Sequence, residues 1–440
     1  MNRLVLRNML RLKPLACLCA TFATVFALSA CGSSGGSGGG GSAGSPDTGT
    51  DTLTFAAFNT FSGPNATFGP EQLAGCGPAA QAIVAAGGVL DHKTAVCNPE
   101  DSRGDPADAV PAAQQVIATS GHLVGVLGPG SDEAPATIPL FNRSHIPMFS
   151  DAGQGLFDKS TFKYFWRILP ADDAVGYAMA LYAHQQGYTR VASVFGTSIG
   201  AQGSAPTVAA GFKKLGGTIT TAQLLALDQS SYRSEVAQMA AAKPQAIFIE
   251  LDPQTAATYL SEVQQLYHQV PIIGTDGTTQ PPWLKAVAGA IGKTTVQKFY
   301  VGAQPYAPTT GPAHKLWLTQ LHGATSGVAK PVSQWENDSY SEAAWDATNI
   351  IALAMELSKS TNPIVYNTYI TKVTSPGHVI VHDFAQGKAA ILAGKAITYV
   401  GTTGPITFDQ YQNSPGSFEI NKSDASTVKT YSAADLQSAK

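Results

Sequence analysis

The chain has 440 residues, of which 44% are hydrophobic and 13% are charged, with a formal net charge of −3. This length suggests two or three domains, and the hydrophobic content is typical of a chain with an apolar core, which excludes an intrinsically disordered protein. The near balance of 27 basic and 30 acidic side chains leaves no basic surface for nucleic acid.

The first thirty residues have the pattern of an export signal. Four basic residues precede an apolar run over 15–30, which is too short to span a membrane. The run ends in Leu28-Ser29-Ala30-Cys31, which resembles a bacterial lipobox. We therefore predict a lipoprotein signal peptide over 1–30 and lipidation of Cys31. The alternative is a plain signal peptide followed by an incidental cysteine.

The segment 31–51 is rich in Gly and Ser, which predicts a flexible tether between the lipid and the folded part. Without the signal, the mature chain carries 23 Lys and Arg against 30 Asp and Glu, a net charge of −7. We expect an exported, acidic protein that is held at the cell membrane by its lipid alone, on the periplasmic or outer face.

Two cysteines remain in the folded part. Cys76 and Cys97 lie 21 residues apart, and outside the cytoplasm such a pair predicts a disulfide. Neither a CxxC nor an HExxH pattern occurs in the chain. His378 and His382 lie in an alternating run that is typical of a strand, so we expect no metal site and no cofactor.

Short β-rich segments alternate with longer helical patterns from residue 53 onward. The predicted strands are Leu53–Phe58, Leu123–Leu127, Val191–Phe195, Ala246–Leu251 and Pro271–Gly274. Apolar residues at spacings of three and four predict helices over Glu71–Ala86, Pro106–Thr119, Asp173–Gln186, Ser231–Ala242, Thr255–Tyr267 and Tyr340–Ser358. This order predicts an α/β fold of two doubly wound, parallel-sheet lobes, with ligand residues in the loops that follow strands.

Four such loops carry side chains suited to binding. Phe61 to Gly69 is a turn-rich loop with two aromatic residues, and Ser131 is predicted to cap a helix whose N-terminus favours an anion. The third loop is Phe149 to Gln154. In the fourth, Asp276 offers a carboxylate that can receive an ammonium group. The alternative for each is an ordinary strand-to-helix loop.

The order and spacing of these loops resemble the type I periplasmic solute-binding proteins of the branched-chain amino acid class, which serve ABC importers. The resemblance runs from about residue 53 to 420. The matching segments are Phe61-Ser62-Gly63-Pro64 with Gly69, Gly87-Gly88-Val89-Leu90, Asp101 with Asp105-Pro106, Gly125–Ser131, Ile146–Ser150, Phe165–Ile168 with Asp172, and Gly404–Asp409.

The resemblance implies two α/β lobes joined by a three-strand hinge. Lobe I would comprise 52–168 and 306–405, and lobe II would comprise 169–305 and 406–440. The crossings would fall near Ile168 to Pro170, near Gln304-Pro305, and within Gly404 to Asp409.

The resemblance also implies the ligand-binding residues. The ligand carboxylate would bind Ser131 together with Ala152 and Gln154, although Gln154 stands where the family has threonine. The ammonium group would meet Asp276 or the segment Glu250 to Asp252, and Phe61 and Phe68 would form apolar walls. Ile199 and Asp252 stand where tyrosines are usual, so leucine-type specificity does not carry over. Tyr340 and Trp345 are expected to lie in the core.

The function implied is that of a monomeric, non-enzymatic binding protein, which captures an amino acid or a related small solute and delivers it to an ABC permease and ATPase. One alternative is a tethered sensor that reports the same clamp to a membrane receptor. A remote alternative is a serine hydrolase, because Gly196-Thr197-Ser198-Ile199-Gly200 matches GxSxG directly after a strand. Ser198 would then be the nucleophile.

Overall fold

A computed structural model describes residues 49–63 and 65–440. These residues lie within one compact unit that begins at Pro46. The predicted signal peptide, Cys31 and nearly all of the predicted tether lie outside the described residues. In the described part, no helix is both long and apolar enough to cross a membrane.

Strands and helices alternate along most of the described chain. The strands are β1 Leu53–Asn59, β2 Ala95–Asp101, β3 His122–Leu127, β4 Met148–Phe149, β5 Phe165–Trp166, β6 Arg190–Gly196, β7 Thr218–Leu225, β8 Ala246–Glu250, β9 Ile272–Gly274, β10 Tyr300–Pro305, β11 Val379–Val381, β12 Ile397–Gly401, β13 Gly404–Pro405, β14 Phe418–Lys422 and β15 Thr427–Tyr431.

The α-helices are α1 Phe68–Ala85, α2 Pro106–Thr119, α3 Ala134–Arg143, α4 Asp172–Gln185, α5 Ala205–Lys214, α6 Arg233–Ala241, α7 Pro253–Leu266, α8 Pro281–Ile291, α9 Lys293–Phe299, α10 Pro312–Gly323, α11 Ser339–Ser358, α12 Pro363–Tyr366, α13 Ile370–Thr374, α14 Phe384–Leu392 and α15 Ala433–Leu436. Short 3-10 helices cover Gly155–Phe157, Asp276–Thr279, Val332–Trp335 and Asn367–Tyr369.

The first sheet has five parallel strands in the order β2-β1-β3-β4-β5. Alternate residues of a strand point to opposite faces, and both faces of β1 are apolar. Leu53 and Phe55 pack against α1, α10 and α11. Ala56 and Phe58 pack against α2 and α3 on the other face. The sheet is therefore covered by helices on both sides, as predicted.

The second sheet has seven strands in the order β15-β14-β10-β9-β8-β6-β7. Its strands from β6 to β10 pair in parallel, whereas β14 and β15 add an antiparallel edge. Ala192 and Val194 pack against α6, α7 and α8, and Val191 and Phe195 pack against α4 and α5 on the opposite face. A small third sheet pairs β12 with β11 and β13. The predicted α/β fold with parallel-sheet lobes is confirmed.

Two covalent and packing features hold the first sheet to its helices. Cys76 on α1 and Cys97 on β2 form a disulfide, as the sequence predicts. Helix α1 lies so close to α11 that a Cβ at Gly75 would come within 2.0 Å of the Ser341 carbonyl oxygen. Only glycine therefore permits this helix spacing.

The three segments that were expected to cross between lobes lie side by side. Ile168 to Pro170, Pro305 and Gly404 to Ile406 line one cavity of about 270 Å³. These segments connect to both sheets, since β5 of the first sheet ends just before Ile168 and β10 of the second sheet ends at Pro305.

Candidate functional site

A cavity of about 90 Å³ lies between loops that follow strands of the first and second sheets. The carboxyl ends of β1, β3 and β4 contribute from the first sheet, and those of β6, β8 and β9 from the second. The polar residues that line it are Asn59, Thr60, Asn65, Thr67, Ser131, Asp132, Glu133, Asp151, Asp172, Ser198, Glu250, Asp252, Asp276 and Gln280, with aromatic walls from Phe68, Trp283 and Tyr340.

Ser131 lines the cavity but does not cap the following helix. The N-cap of α3 is Glu133, two residues later, so the predicted capping role of Ser131 is wrong. The Glu133 carboxylate accepts hydrogen bonds from the Gly130 N–H at 3.2 Å and from Ser102 Oγ at 2.7 Å. The Glu133 carboxylate thus connects the loop after β3 to Ser102, and it makes no capping hydrogen bond with α3.

Ala152 and Gln154 are buried and lie outside the cavity lining. The Ala152 N–H donates to Ser150 Oγ at 3.0 Å, and the Ala152 carbonyl accepts from Arg167 Nη1 at 3.3 Å. Gln154 Nε2 donates to the Ser131 carbonyl oxygen. These contacts tie the loop after β4 to the loop after β3, and the expected contact of Ala152 and Gln154 with a ligand stays a prediction.

The two predicted aromatic walls differ in position. Phe68, the first residue of α1, lines the cavity. The Phe61 ring packs over Gly69, where a Cβ would come within 2.4 Å of it, and Phe61 does not belong to the lining. Trp283 and Tyr340 line the cavity in addition. Trp283 was not predicted, and Tyr340 was expected to be a core residue on a helix near the cleft.

The second sheet presents carboxylates at the ends of β8 and β9. Asp276 Oδ1 accepts from the Gly277 N–H at 3.1 Å, and Asp276 Oδ2 accepts from the Tyr340 hydroxyl. Asp252 Oδ1 caps α7 by accepting from the Gln254 and Thr255 N–H groups, each at 3.0 Å. Glu250, the last residue of β8, lines the cavity beside them.

Two hydrogen bonds join the opposite sides of the cavity. Asp132, in the loop after β3, accepts from the Gly200 N–H at 2.7 Å in the loop after β6. Tyr340 on α11, which packs with the first sheet, donates to Asp276 at the end of β9. These two hydrogen bonds, which we call latches below, connect the halves of the protein that contain the first and second sheets.

Asp132, Asp151 and Asp172 line the cavity although the sequence reasoning gave them no role. Asp132 and Asp151 stand beside residues that were predicted to bind, in the same loops after strands. Asp172 begins α4, and Gly153 and Gly203 make room for its carboxylate, since a Cβ at either would lie within 2.0 Å of it. Ser131 was predicted because it lies in a loop that follows a strand, and the same criterion could have identified these acids.

Burial and mutual repulsion raise the pKa values of these acids. Burial, and then the charge of Glu133, raise the pKa of Asp151 to about 7. Burial is also the main cause that raises the pKa values of Asp172 and Glu250 well above their usual range, with the Asp276 charge next. Carboxyl groups that are brought together away from water favour the protonated form.

Ser198, the candidate nucleophile, lies in the same cavity. Ser198 Oγ accepts from the Ala201 N–H at 3.3 Å. Among the described residues, no histidine lines the cavity, so none stands there to act as the base of a serine hydrolase.

A second group of potential ligand atoms lies at the amino ends of β1 and β3. Asp51, His92 and His122 bring one ligand atom each to within 4.8 Å of one another. His122 Nδ1 lies 3.0 Å and His92 Nδ1 3.2 Å from the two carboxylate oxygens of Asp51. The cavity is at the carboxyl ends of these strands, so this group is separate from it.

The fold is similar to solved structures of binding proteins. A leucine-binding protein, LivK, from Thermotoga maritima has a TM-score of 0.69 and 18% identity, covering 87% of this chain and 99% of that chain. LivJ of Streptococcus pneumoniae, in complex with isoleucine, has a TM-score of 0.68 and 17% identity, covering 87% and 99%. A solute-binding protein of R. palustris in complex with 4-hydroxybenzoate has a TM-score of 0.67 and 19% identity, covering 87% and 97%.

Among curated protein sequences no significant match is found. The sequence over residues 52–364, however, matches the family described as periplasmic binding protein. This match covers most of the chain, and it agrees with the two parallel-sheet halves and with the cavity between their carboxyl ends. The chain therefore belongs to the periplasmic binding protein family.

Proposed function

We propose that this chain is an exported, lipid-anchored protein that captures a small solute in the cavity between its two sheets and delivers it to an ABC importer. The two lobes of the clamp would be 52–168 with 306–405, and 169–305 with 406–440. The observation that carries the proposal is the pair of hydrogen bonds across the cavity, from Asp132 to Gly200 and from Tyr340 to Asp276.

These two hydrogen bonds are the contacts that a clamp makes when it closes. A solute that touches side chains of both sheets gains its full contact set only in the closed state, so it shifts the protein toward closure. Micromolar affinity requires about 8 kcal/mol, which a few charge-assisted hydrogen bonds of roughly 1.5–3 kcal/mol each can supply after the ordering costs. The importer would recognise the closed form.

The solute would carry an ammonium group, and an amino acid is the first class to test. The acids at the ends of β8 and β9 support this class, because carboxylates form charge-assisted hydrogen bonds with ammonium donors. The isoleucine in LivJ supports an amino acid as well, whereas the 4-hydroxybenzoate in the R. palustris protein shows how far ligands differ among similar folds.

A thermal-shift screen of residues 46–440 tests solute binding. At one hundred times its dissociation constant, a ligand adds about 2.7 kcal/mol to the free energy of unfolding. We expect a clear rise in melting temperature with at least one amino acid or amine, and a smaller rise for Ser131→Ala, since Ser131 lines the cavity. If no amino acid, amine or small carboxylic acid raises the melting temperature, the proposed function is wrong.

The lipid anchor has its own test in the full-length protein. Cys31→Ser is expected to move the protein from the membrane fraction to the soluble fraction, because the thiol that accepts the lipid is lost. Cys19→Ser, which changes another cysteine of the leader, is the matched control and should leave the protein in the membrane fraction. Retention of Cys31→Ser in the membrane would contradict lipidation at this residue.

A further inference from the structure

The side chains that line the cavity carry charge of one sign. Seven of them are acidic: Asp132, Glu133, Asp151, Asp172, Glu250, Asp252 and Asp276. Among the described residues, no lysine, arginine or histidine lines the cavity. Clustered carboxylates away from water are costly to ionise unless an opposite charge compensates them.

The partners that these acids do have are neutral. Asp132 accepts from Gly200 and Asn65, Glu133 accepts from Gly130 and Ser102, and Asp252 accepts from the backbone at the start of α7. The buried guanidinium of Arg167 is directed at Asp158, with Nη2 and Oδ1 at 2.5 Å, and lies outside the lining. The charge of Arg167 lowers the pKa of Asp172, but burial and the Asp276 charge outweigh it and raise that pKa overall. When the acids of the cavity ionise, a cationic ligand can therefore supply the compensating charge that the described lining does not contain.

Six carboxylate oxygens among the described residues are buried without a hydrogen-bond partner, and three of them belong to acids of the cavity: Asp151 Oδ1, Asp172 Oδ2 and Asp252 Oδ2. All three belong to residues of the lining, from both sides of the cavity. Buried polar atoms in native proteins are nearly always paired, so these oxygens indicate a missing donor. The rings of Phe68, Trp283 and Tyr340 provide aromatic walls of the kind that attract an organic cation.

Two of the three residues expected to bind a ligand carboxylate already use their donors within the chain. The Ala152 N–H donates to Ser150 Oγ, and Gln154 Nε2 donates to the Ser131 carbonyl oxygen. A ligand carboxylate at Ser131 would also meet Asp132 and Glu133 on the adjacent residues. Its binding would bring like charges together, which weakens the binding of a ligand that carries a carboxylate.

We infer that the cavity selects a small aliphatic amine that carries net positive charge and no carboxylate. This inference rests on the proposed function and narrows its solute class. The ammonium group replaces the missing donor at Asp151, Asp172 and Asp252, and the aliphatic part lies against the aromatic walls. The acidic side chains of the cavity disfavour the binding of ligands that carry a carboxylate, such as those bound by proteins of similar fold.

Pairs of solutes that differ by one carboxylate test the inference by isothermal titration calorimetry on residues 46–440. Putrescine is paired with ornithine, isoamylamine is paired with leucine, and benzoate and Ca²⁺ are added. We expect at least one amine to bind about a hundredfold or more tightly than its carboxylate-bearing partner, because of the like-charge cost. Asp172→Asn is expected to raise the dissociation constant of that amine about tenfold or more. Asp228→Asn, which removes an exposed acid outside the lining, should leave its affinity unchanged.

Several outcomes overturn the inference. Tighter binding of leucine, ornithine or benzoate than of the matched amine would refute it and leave the proposed function standing. Tighter binding of Ca²⁺ than of any amine would assign the acids to a metal ion instead. If no solute of the panel binds at millimolar concentration, the inference and the proposed function fail together.

Discussion

Replacing Asp132 by alanine is expected to weaken solute binding by about ten- to a hundredfold. Asp132 Oδ1 accepts from the Gly200 N–H at 2.7 Å, and Oδ2 accepts from Asn65 Nδ2 at 3.2 Å. A hydrogen bond to a charged group contributes roughly 1.5–3 kcal/mol, and each 1.4 kcal/mol is a factor of about ten. Because the bond to Gly200 joins the two sides of the cavity, its loss favours the open state.

Two measurements separate this effect from a loss of direct ligand contact. Calorimetry with whichever solute of the panel binds gives the dissociation constant, and small-angle scattering without solute gives the radius of gyration. We expect Asp132→Ala to raise both values. Asp132→Asn retains an oxygen that can accept from Gly200, so it should lie between the wild type and alanine. An unchanged radius with a weakened affinity would show that Asp132 acts on the ligand and does not hold the cavity closed.

Tyr340 and Asp276 form the second latch, so the two latches can be compared. Tyr340→Phe removes only the hydroxyl that donates to Asp276. If both hydrogen bonds stabilise the closed state, each variant shifts the equilibrium between the open and closed states. The loss of binding free energy in the Asp132→Ala/Tyr340→Phe double variant should then equal the sum of the losses in the two single variants, because the two bonds share no partner.

The sequence predicts the local elements best where capping residues mark them. Helix α2 spans Pro106–Thr119, as predicted, because Asp105 caps it and proline suits the first turn. Helix α7 begins at Pro253, two residues before the predicted start, because Asp252 is its cap. Asp252 stands where the family has a tyrosine, and a comparison with that position alone does not indicate that an aspartate there caps a helix.

Two of the strands that the prediction missed are largely exposed strands at the edges of the second sheet. Strand β7 buries only Gln223 and Leu225 and leaves its other residues exposed or half-buried, and β15 is exposed at every residue but Tyr431. Edge strands of this kind are specified by their neighbours in the sheet and not by their own composition.

The loops of the site could be predicted, but the side chains that face the cavity could not. Parallel sheets place their functional loops at the carboxyl ends of strands, and this rule found the loops of Ser131 and Asp276. Ala152 and Gln154 lie in such a loop, yet their polar groups are used within the chain. The acidic lining arises only when acids from five separate segments of the chain come together, and the order of residues along the sequence does not show that they do.

Acidification is expected to stabilise the ligand-free protein between about pH 4 and pH 7. Burial, and then Glu133, raise the pKa of Asp151 from 3.8 to about 7, and Asn59 and Gln72 are its hydrogen-bond donors. Over this range the folded protein holds a proton at Asp151 that the unfolded chain has released, so the free energy of unfolding falls as pH rises. Asp151 alone can contribute up to about 4 kcal/mol, and Asp172 and Glu250 act in the same direction.

Denaturant unfolding of residues 46–440 at pH 5 and pH 8, without solute, measures this slope. Asp151→Asn should flatten it and raise the free energy of unfolding at pH 8, because the amide carries no charge to be buried. Asp228→Asn, at an exposed site, should leave the slope unchanged. A cationic solute should also flatten the slope, since it favours the ionised carboxylates and releases their protons on binding. A protein that is more stable at pH 8 than at pH 5 without solute would mean that the chain itself already compensates the acids of the cavity.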